Sequence, residues 1–281
     1  MALSTVDYIC LISMLLVGLP HGAIDGPLML RYATSRLVSV LLIIIYLVTA
    51  ISVYLIWFIF PNFCLALFLG ISIFHFGSGD FKVASQRLLE GGIKLNSIIG
   101  IVTHGGIFPL LIPLVHQKET SIIFGILGAS ESQFLHLILS YMLPAWIACF
   151  VMYLFLCIRN IKSYLILFEL LSLILIVIYF SPLVSFAIYF CCVHSPRHVL
   201  SLYRAICAQS DFTSILRMTI PFILLSWAIV LIVVFLLFKI FTISFGEAVI
   251  QTTFILLFAL TVPHMILIDG YINKQHIFSD S

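Results

Sequence analysis

Within the stretch FCCVHSPRHVLSLYR, residues 190–204, an apolar run gives way to His194, Pro196, Arg197 and His198. Ionisable side chains are costly in hydrocarbon and proline removes a helix hydrogen bond, so this ending needs a reason. Histidine is the commonest metal ligand, and a neutral imidazole suits iron, copper, zinc or nickel. His194 and His198, at i and i+4, would face the same way on a helix. Pro196 between them disturbs that geometry, so the pair alone is a weak motif. His21 in GLPHGAIDGP and His75 in FHFGSGD complete a candidate four-histidine site.

Two further histidines stand in similar settings, His104 in THGGIFPLLIP and His264 in TVPHMILID. Carboxylates follow several of them: Asp25 lies four residues after His21, Asp80 five after His75 and Asp269 five after His264. A metal-bound imidazole usually gives its other N–H to a carboxylate, carbonyl or water, which fixes the tautomer. Asp25 and Asp80 are therefore expected behind the ligands. Asp269 fits an interfacial position equally well. Arg197 is placed either to pair with one of these carboxylates or to reach the lipid headgroups.

The elements that must position these groups are membrane helices. Apolar residues make up 63% of the 281 and charged residues 9%, with a mean hydropathy of +1.27. A soluble domain carries about 25% charged residues, so this chain cannot cover a surface facing water. Apolar runs recur along its length, each near the roughly 20 residues that span a bilayer. The fold class expected is all-α, a polytopic transmembrane bundle of about 8–9 spans, forming one integral membrane domain over 1–281. The spans fall near 5–24, 37–60, 62–79, 97–115, 134–157, 163–180, 183–203, 217–241 and 247–268. Pro61 and Ser181-Pro182 divide runs too long for one crossing. The N-terminal MALSTVDYICLISMLLVGLPHG lacks a basic start and contains Asp7, so it reads as a retained first helix.

With nine spans, eleven of the 13 Lys and Arg fall on one side and only Lys118 and Lys239 on the other. The positive-inside rule then places the N-terminus outside and the C-terminus in the cytoplasm. On that topology His21, His75, His104, His194, His198 and His264 share the cytoplasmic layer of an inner (plasma) membrane. A lone histidine at a helix end commonly rests at the interface, which suits His116, His136 and His276. Six in one layer, drawn from five helices, are the pattern of a site.

A net charge of +2 is too small and scattered for nucleic acid. The seven cysteines lie mostly in apolar runs without a C-x-x-C pair, so they read as buried hydrophobes. Neutral imidazoles leave the metal its charge and open positions, which favours non-haem ferrous iron and oxygen chemistry over a closed zinc site. Burial at membrane depth suits an apolar substrate arriving through lipid, and some of the 25 Phe and 11 Tyr would line its tunnel. Three other readings compete. A membrane lipid hydroxylase or desaturase would want more histidine boxes. A proton-coupled transporter would spread ionisable groups across the bilayer, and a bis-histidine haem protein would want facing pairs.

The ordered motifs LPHGAIDGP, FHFGSGD, THGGIFPLLIP, CVHSPRH and PHMILID resemble those of the Brp/Blh family of membrane β-carotene 15,15′-dioxygenases, found in bacteria and archaea that use retinal in rhodopsins. The resemblance runs from first helix to last. It implies a non-haem Fe(2+) enzyme that splits the central double bond of β-carotene with O2 to give two retinal molecules, with a retinal-binding rhodopsin as downstream partner. It also implies iron held by His21, His75, His194 and His198. His104, His264, Asp25, Asp80 and Arg197 then take supporting or substrate-side roles.

Overall fold

The computed structural model describes residues 3–90, 97–158, 163–207 and 212–268, and these form helices without a strand. In chain order they are α1 (Thr5–Ser13), a π turn (Met14–Gly18), a 3-10 turn (Leu19–Ile24), α2 (Asp25–Tyr32), α3 (Arg36–Ile59), α4 (Pro61–Glu90), α5 (Ser97–Gly105), α6 (Ile107–Val115) and α7 (Gln117–Ile126). There follow α8 (Ser132–Ile158), α9 (Tyr164–Tyr179), α10 (Pro182–Tyr189), a second π turn (Phe190–His194), α11 (Ser195–Cys207), α12 (Phe212–Lys239) and α13 (Phe245–Met265). Among the described residues seven helical stretches are long and apolar enough to cross a membrane, and eight if α5 and α6, bent by 41° at their junction, count as one span. The remaining expected span, 163–180, is α9, which at 16 residues is shorter than a full crossing. Exposed positions on α3, α8 and α12 are mostly Leu, Ile, Val and Phe, a surface that hydrocarbon accepts and water does not.

The chain divides into two compact units, Pro61–Arg197 and Ala2–Phe60 with His198–Ser281. In the first, α4 packs closely on α5, and α5 and α6 pack on α8. The closeness of α4 and α5 depends on glycine. A Cβ on Gly105 would run into the carbonyl oxygen of Ile73, and one on Gly77 into that of Ile101. Both obstacles are backbone, so no side-chain rotation relieves them. Gly105→Ala is expected to cost about 1–3 kcal/mol, the usual penalty of overpacking, and to lower the unfolding temperature in detergent. An unchanged temperature would mean that α4 and α5 pack less tightly than described. On the far side of the bend Gly106 lies against the Trp146 indole, whose N–H donates to the Thr103 carbonyl at 3.3 Å.

In the second unit α13 packs along α3, and α12 lies against α2, the 3-10 turn and α13. Ser4 with Asp7, and Ser244 with Glu247, form capping boxes that satisfy the first N–H groups of α1 and α13. Trp57 of α3 meets the edge of Phe258 of α13, with ring centroids 5.5 Å apart. Ile24, Leu28, Met29 and Leu267 form a buried cluster, against which Leu42, Ile43, Tyr46 and Val199 pack.

Candidate metal centre

Two of the three stretches that carry the expected ligands leave α-helical geometry, whereas His75 sits within α4. The chain enters the first motif through the π turn Met14–Gly18 and the 3-10 turn that holds His21. It enters the second through the π turn Phe190–His194, closed by the Ser195 N–H donating to the Phe190 carbonyl. In a regular helix the ring of Pro196 would clash with the carbonyl four residues earlier, and the wider turn just upstream relieves this. Single π turns within α-helices are frequent at functional sites.

In the first unit His194 and His75 converge. Their Nε2 atoms are 3.2 Å apart and the rings meet at 66°, with centroids 4.9 Å apart. Both side chains are buried, His194 at 2% exposure and His75 at 9%. The His194 ring is held by aromatics, stacked parallel to Phe190 and edge-on to Phe76 at 4.6 Å. Two nitrogens each ~2.0–2.1 Å from one ion and ~90–110° apart about it would be separated by ~2.9–3.4 Å. The pair fits two neighbouring ligands of a metal ion. Without metal, one imidazole donates to the other at the same distance.

A charged network stands beside this pair. The Arg197 guanidinium donates to both oxygens of Glu169, at 2.6 and 2.7 Å, and to Asp80 Oδ1 at 3.4 Å. Tyr189 donates its hydroxyl to the other Asp80 oxygen at 2.7 Å. Tyr189 in turn stacks on Phe108, with ring centroids 4.0 Å apart. Asp80, expected behind His75, is thus bonded to Tyr189 and Arg197. It ties α4 to the segment bearing His194, while Glu169 adds α9. His104 is buried at the end of α5, with Nε2 3.0 Å from the Tyr153 hydroxyl.

In the second unit the buried carboxylate of Asp25, at the start of α2, lies 2.8 Å through each oxygen from His264 Nδ1. The Tyr46 hydroxyl donates to Oδ2 at 2.8 Å. Asp25 was expected behind His21, and here it orients His264. A carboxylate only accepts, so Nδ1 of His264 carries the proton and, in the neutral ring, Nε2 carries the lone pair. His198 meets His264 at 66°, with centroids 4.8 Å apart. The side chain of His21 lies outside the described residues, as do Asp269 and His276. Among the described residues no group of three or more His, Cys, Asp or Glu converges into a metal cage.

The histidines away from these pairs have local partners. His136 lies 2.6 Å through Nδ1 from the Ser132 carbonyl and 3.1 Å through Nε2 from the Thr120 hydroxyl. His116 donates to the Val177 carbonyl at 2.6 Å. Sequence reasoning did not single out Glu169, Tyr189, Tyr153 or Tyr46. Glu169 was findable as the lone acidic residue in the apolar run YLILFELLSLILIVIY, since intramembrane ionisable residues are functional candidates by default. Three tyrosines among 11 carried no such mark.

Fold and site together define a class: an all-helical, multi-pass membrane protein with two crossed imidazole pairs, one set in aromatic rings and the other held by a buried carboxylate and a tyrosine. The family model for beta-carotene 15,15′-dioxygenase matches residues 12–271. A beta-carotene 15,15′-dioxygenase from uncultured marine bacterium 66A03 is 36% identical over 281 residues, covering 98% of this chain and 97% of that protein. The chain belongs to the beta-carotene 15,15′-dioxygenase family. No solved structure matches it.

Proposed function

We propose that this chain is a non-haem ferrous enzyme that cleaves the central 15,15′ double bond of β-carotene with O2 and releases two molecules of retinal. Family membership over nearly the whole chain supports the reaction. The observation that carries the metal centre is the buried His75–His194 pair, with Nε2 atoms 3.2 Å apart. His21, His75, His194 and His198 are the proposed ligands. Bound there, ferrous iron would supply the activation of O2, which the side chains cannot do themselves.

The reaction balances without an outside reductant. The C15=C15′ bond breaks, one carbonyl forms on each half, and the two oxygen atoms of O2 are consumed. The chain's own residues bind, orient and exclude water. Phe76, Tyr189 and Phe190 pack round His194 and fix the direction of its lone pair. Asp80, Glu169 and Arg197 hold the segments that bear the pair, and burial keeps water from reactive oxygen species. The apolar exterior lets a carotenoid enter from lipid, and central cleavage requires space for both halves of the polyene. The distribution of Lys and Arg supports an N-terminus outside the plasma membrane, with the C-terminus and metal site towards the cytoplasm. Retinal released on that side would be available to a rhodopsin.

The test is expression in bacteria engineered to accumulate β-carotene, followed by pigment extraction and chromatography, beside a His21→Ala control. Loss of carotene with appearance of retinal, in the intact protein only, is the expected result. Unchanged carotene with the protein confirmed in the membrane would reject this substrate.

A further inference from the structure

A guanidinium is a planar cation with five N–H donors, and in the first unit Arg197 commits three of them. Nη1 donates to Glu169 Oε1 at 2.6 Å and to Asp80 Oδ1 at 3.4 Å, and Nη2 to Glu169 Oε2 at 2.7 Å. The side edge remains. Its Nε–H and outer Nη2–H run parallel and have no partner among the described residues. The side chain is 29% exposed, and Nε is not among the fully buried atoms that lack a partner. This edge lies close to the imidazole pair. A Cβ on Gly79, the residue before Asp80, would stand 3.9 Å from Cε1 of His194. Tyr189 gives its hydroxyl to Asp80, and its ring centroid is 5.9 Å from that of His194.

Building on the cleavage reading, we propose that the free edge of Arg197 is a product site, which takes the aldehyde oxygen of retinal. Charge decides the class of ligand. One cation here faces two carboxylates, so an anion would meet an excess of like charge. A neutral carbonyl oxygen meets no such penalty, and its two lone pairs accept from both N–H groups of the edge. Carbonyl oxygens arise where the double bond breaks, beside aromatic walls whose one hydroxyl, that of Tyr189, is already given to Asp80. Glu169 and Asp80 act as positioning residues, because they fix the plane of the guanidinium. Lysine cannot stand in for it, since an ammonium is a point charge without a fork. The rival donor is the Ser195 hydroxyl, next to His194, 2% exposed and without a partner among the described residues. A second rival account leaves the edge to water or lipid headgroups.

Retinal binding reads this site without turnover. The full-length protein is purified in detergent and titrated with retinal, with Kd taken from tryptophan fluorescence and the C=O stretch from Raman spectra. In the intact protein the stretch is expected below that of retinal in detergent alone. Arg197→Lys keeps a cation between the two carboxylates and loses the fork. It should weaken binding about 10–100-fold, the worth of a hydrogen bond to a charged group, and return the stretch to its free value. Glu169→Gln leaves the edge in place and should keep the shifted stretch. Retinoate should bind less tightly than retinal, and Glu169→Gln should narrow that gap. An unshifted carbonyl in the intact protein, or one shifted equally in Arg197→Lys, would overturn the proposal. So would a shift that is lost in Ser195→Ala and kept in Arg197→Lys. Should Arg197→Lys not fold, the retinoate gap decides: no change in Glu169→Gln counts against the site. Carotene cleavage is measured alongside. Retinal formed without a carbonyl shift removes only the Arg197 site, whereas no retinal formed removes the cleavage reading and the product assignment with it.

Discussion

His194→Ala is expected to abolish retinal formation and to strip iron from the purified protein, with the polypeptide still in the membrane. The loss follows from position. His194 is 2% exposed, walled by Phe76, Tyr189 and Phe190, and its Nε2 faces that of His75 at 3.2 Å. Alanine leaves no nitrogen there, and the one hydroxyl in the aromatic wall, that of Tyr189, is committed to Asp80. Outer-shell residues already cost 10–100-fold when removed from metal sites, so a direct ligand should exceed about 100-fold in activity. His75→Ala should behave in the same way. His116→Gln supplies the contrast: its side-chain amide retains a donor for the Val177 carbonyl, and it should keep both iron and activity. Retinal by chromatography and iron by metal analysis are the two readouts. Near-normal turnover in His194→Ala would remove it from the ligand set.

The membrane class and the helical architecture were legible because hydrocarbon imposes strict rules. A spanning segment must satisfy its backbone internally and be about 20 residues long, so apolar runs and prolines sufficed to place α3, α8, α12 and α13 within a few residues, and the apolar part of α4, which continues as helix to Glu90. The bend at Gly105–Gly106 was less visible, because it depends on how near α5 approaches the backbone of α4. At the candidate site, residue type and setting pointed to the histidines, but sequence proximity did not reveal the long-range partners of the carboxylates. Asp25 follows His21 by four residues, yet it bonds His264, 239 positions away. Asp80 follows His75 by five and bonds Tyr189, 109 positions away. Helical spacing predicts which groups share a face, and it says nothing of which neighbouring helix brings the partner. Glu169 and the tyrosines illustrate the same limit.

Arg197→Leu is expected to destabilise the protein by about 2–3 kcal/mol and to loosen the metal site with it. Removing one member of a buried ion pair typically costs about 3–5 kcal/mol, because the remaining charge is left uncompensated. Here Asp80 is the deeply buried member, whereas the Arg197 and Glu169 side chains are 29% and 26% exposed, which argues for less than the full value. Without the guanidinium, Asp80 would still accept from the Tyr189 hydroxyl but would face Glu169 as a like charge. At about 2–4 °C per kcal/mol, the unfolding temperature in detergent should fall by roughly 4–12 °C. Glu169→Gln should do less harm, since an amide oxygen still accepts from Arg197 and Asp80 remains a counter-charge. Adding Asp80→Asn to Arg197→Leu should recover part of the loss, with a coupling energy of about 0.5–3 kcal/mol in the double-mutant cycle. That recovery is the informative part, because it separates an unpaired buried charge from a simple loss of arginine packing. Metal affinity should not recover with it, since Arg197 lies three residues beyond His194 and anchors that segment to α4 and α9. An Arg197→Leu protein that unfolds at the normal temperature and binds metal normally would show that the network holds nothing in place.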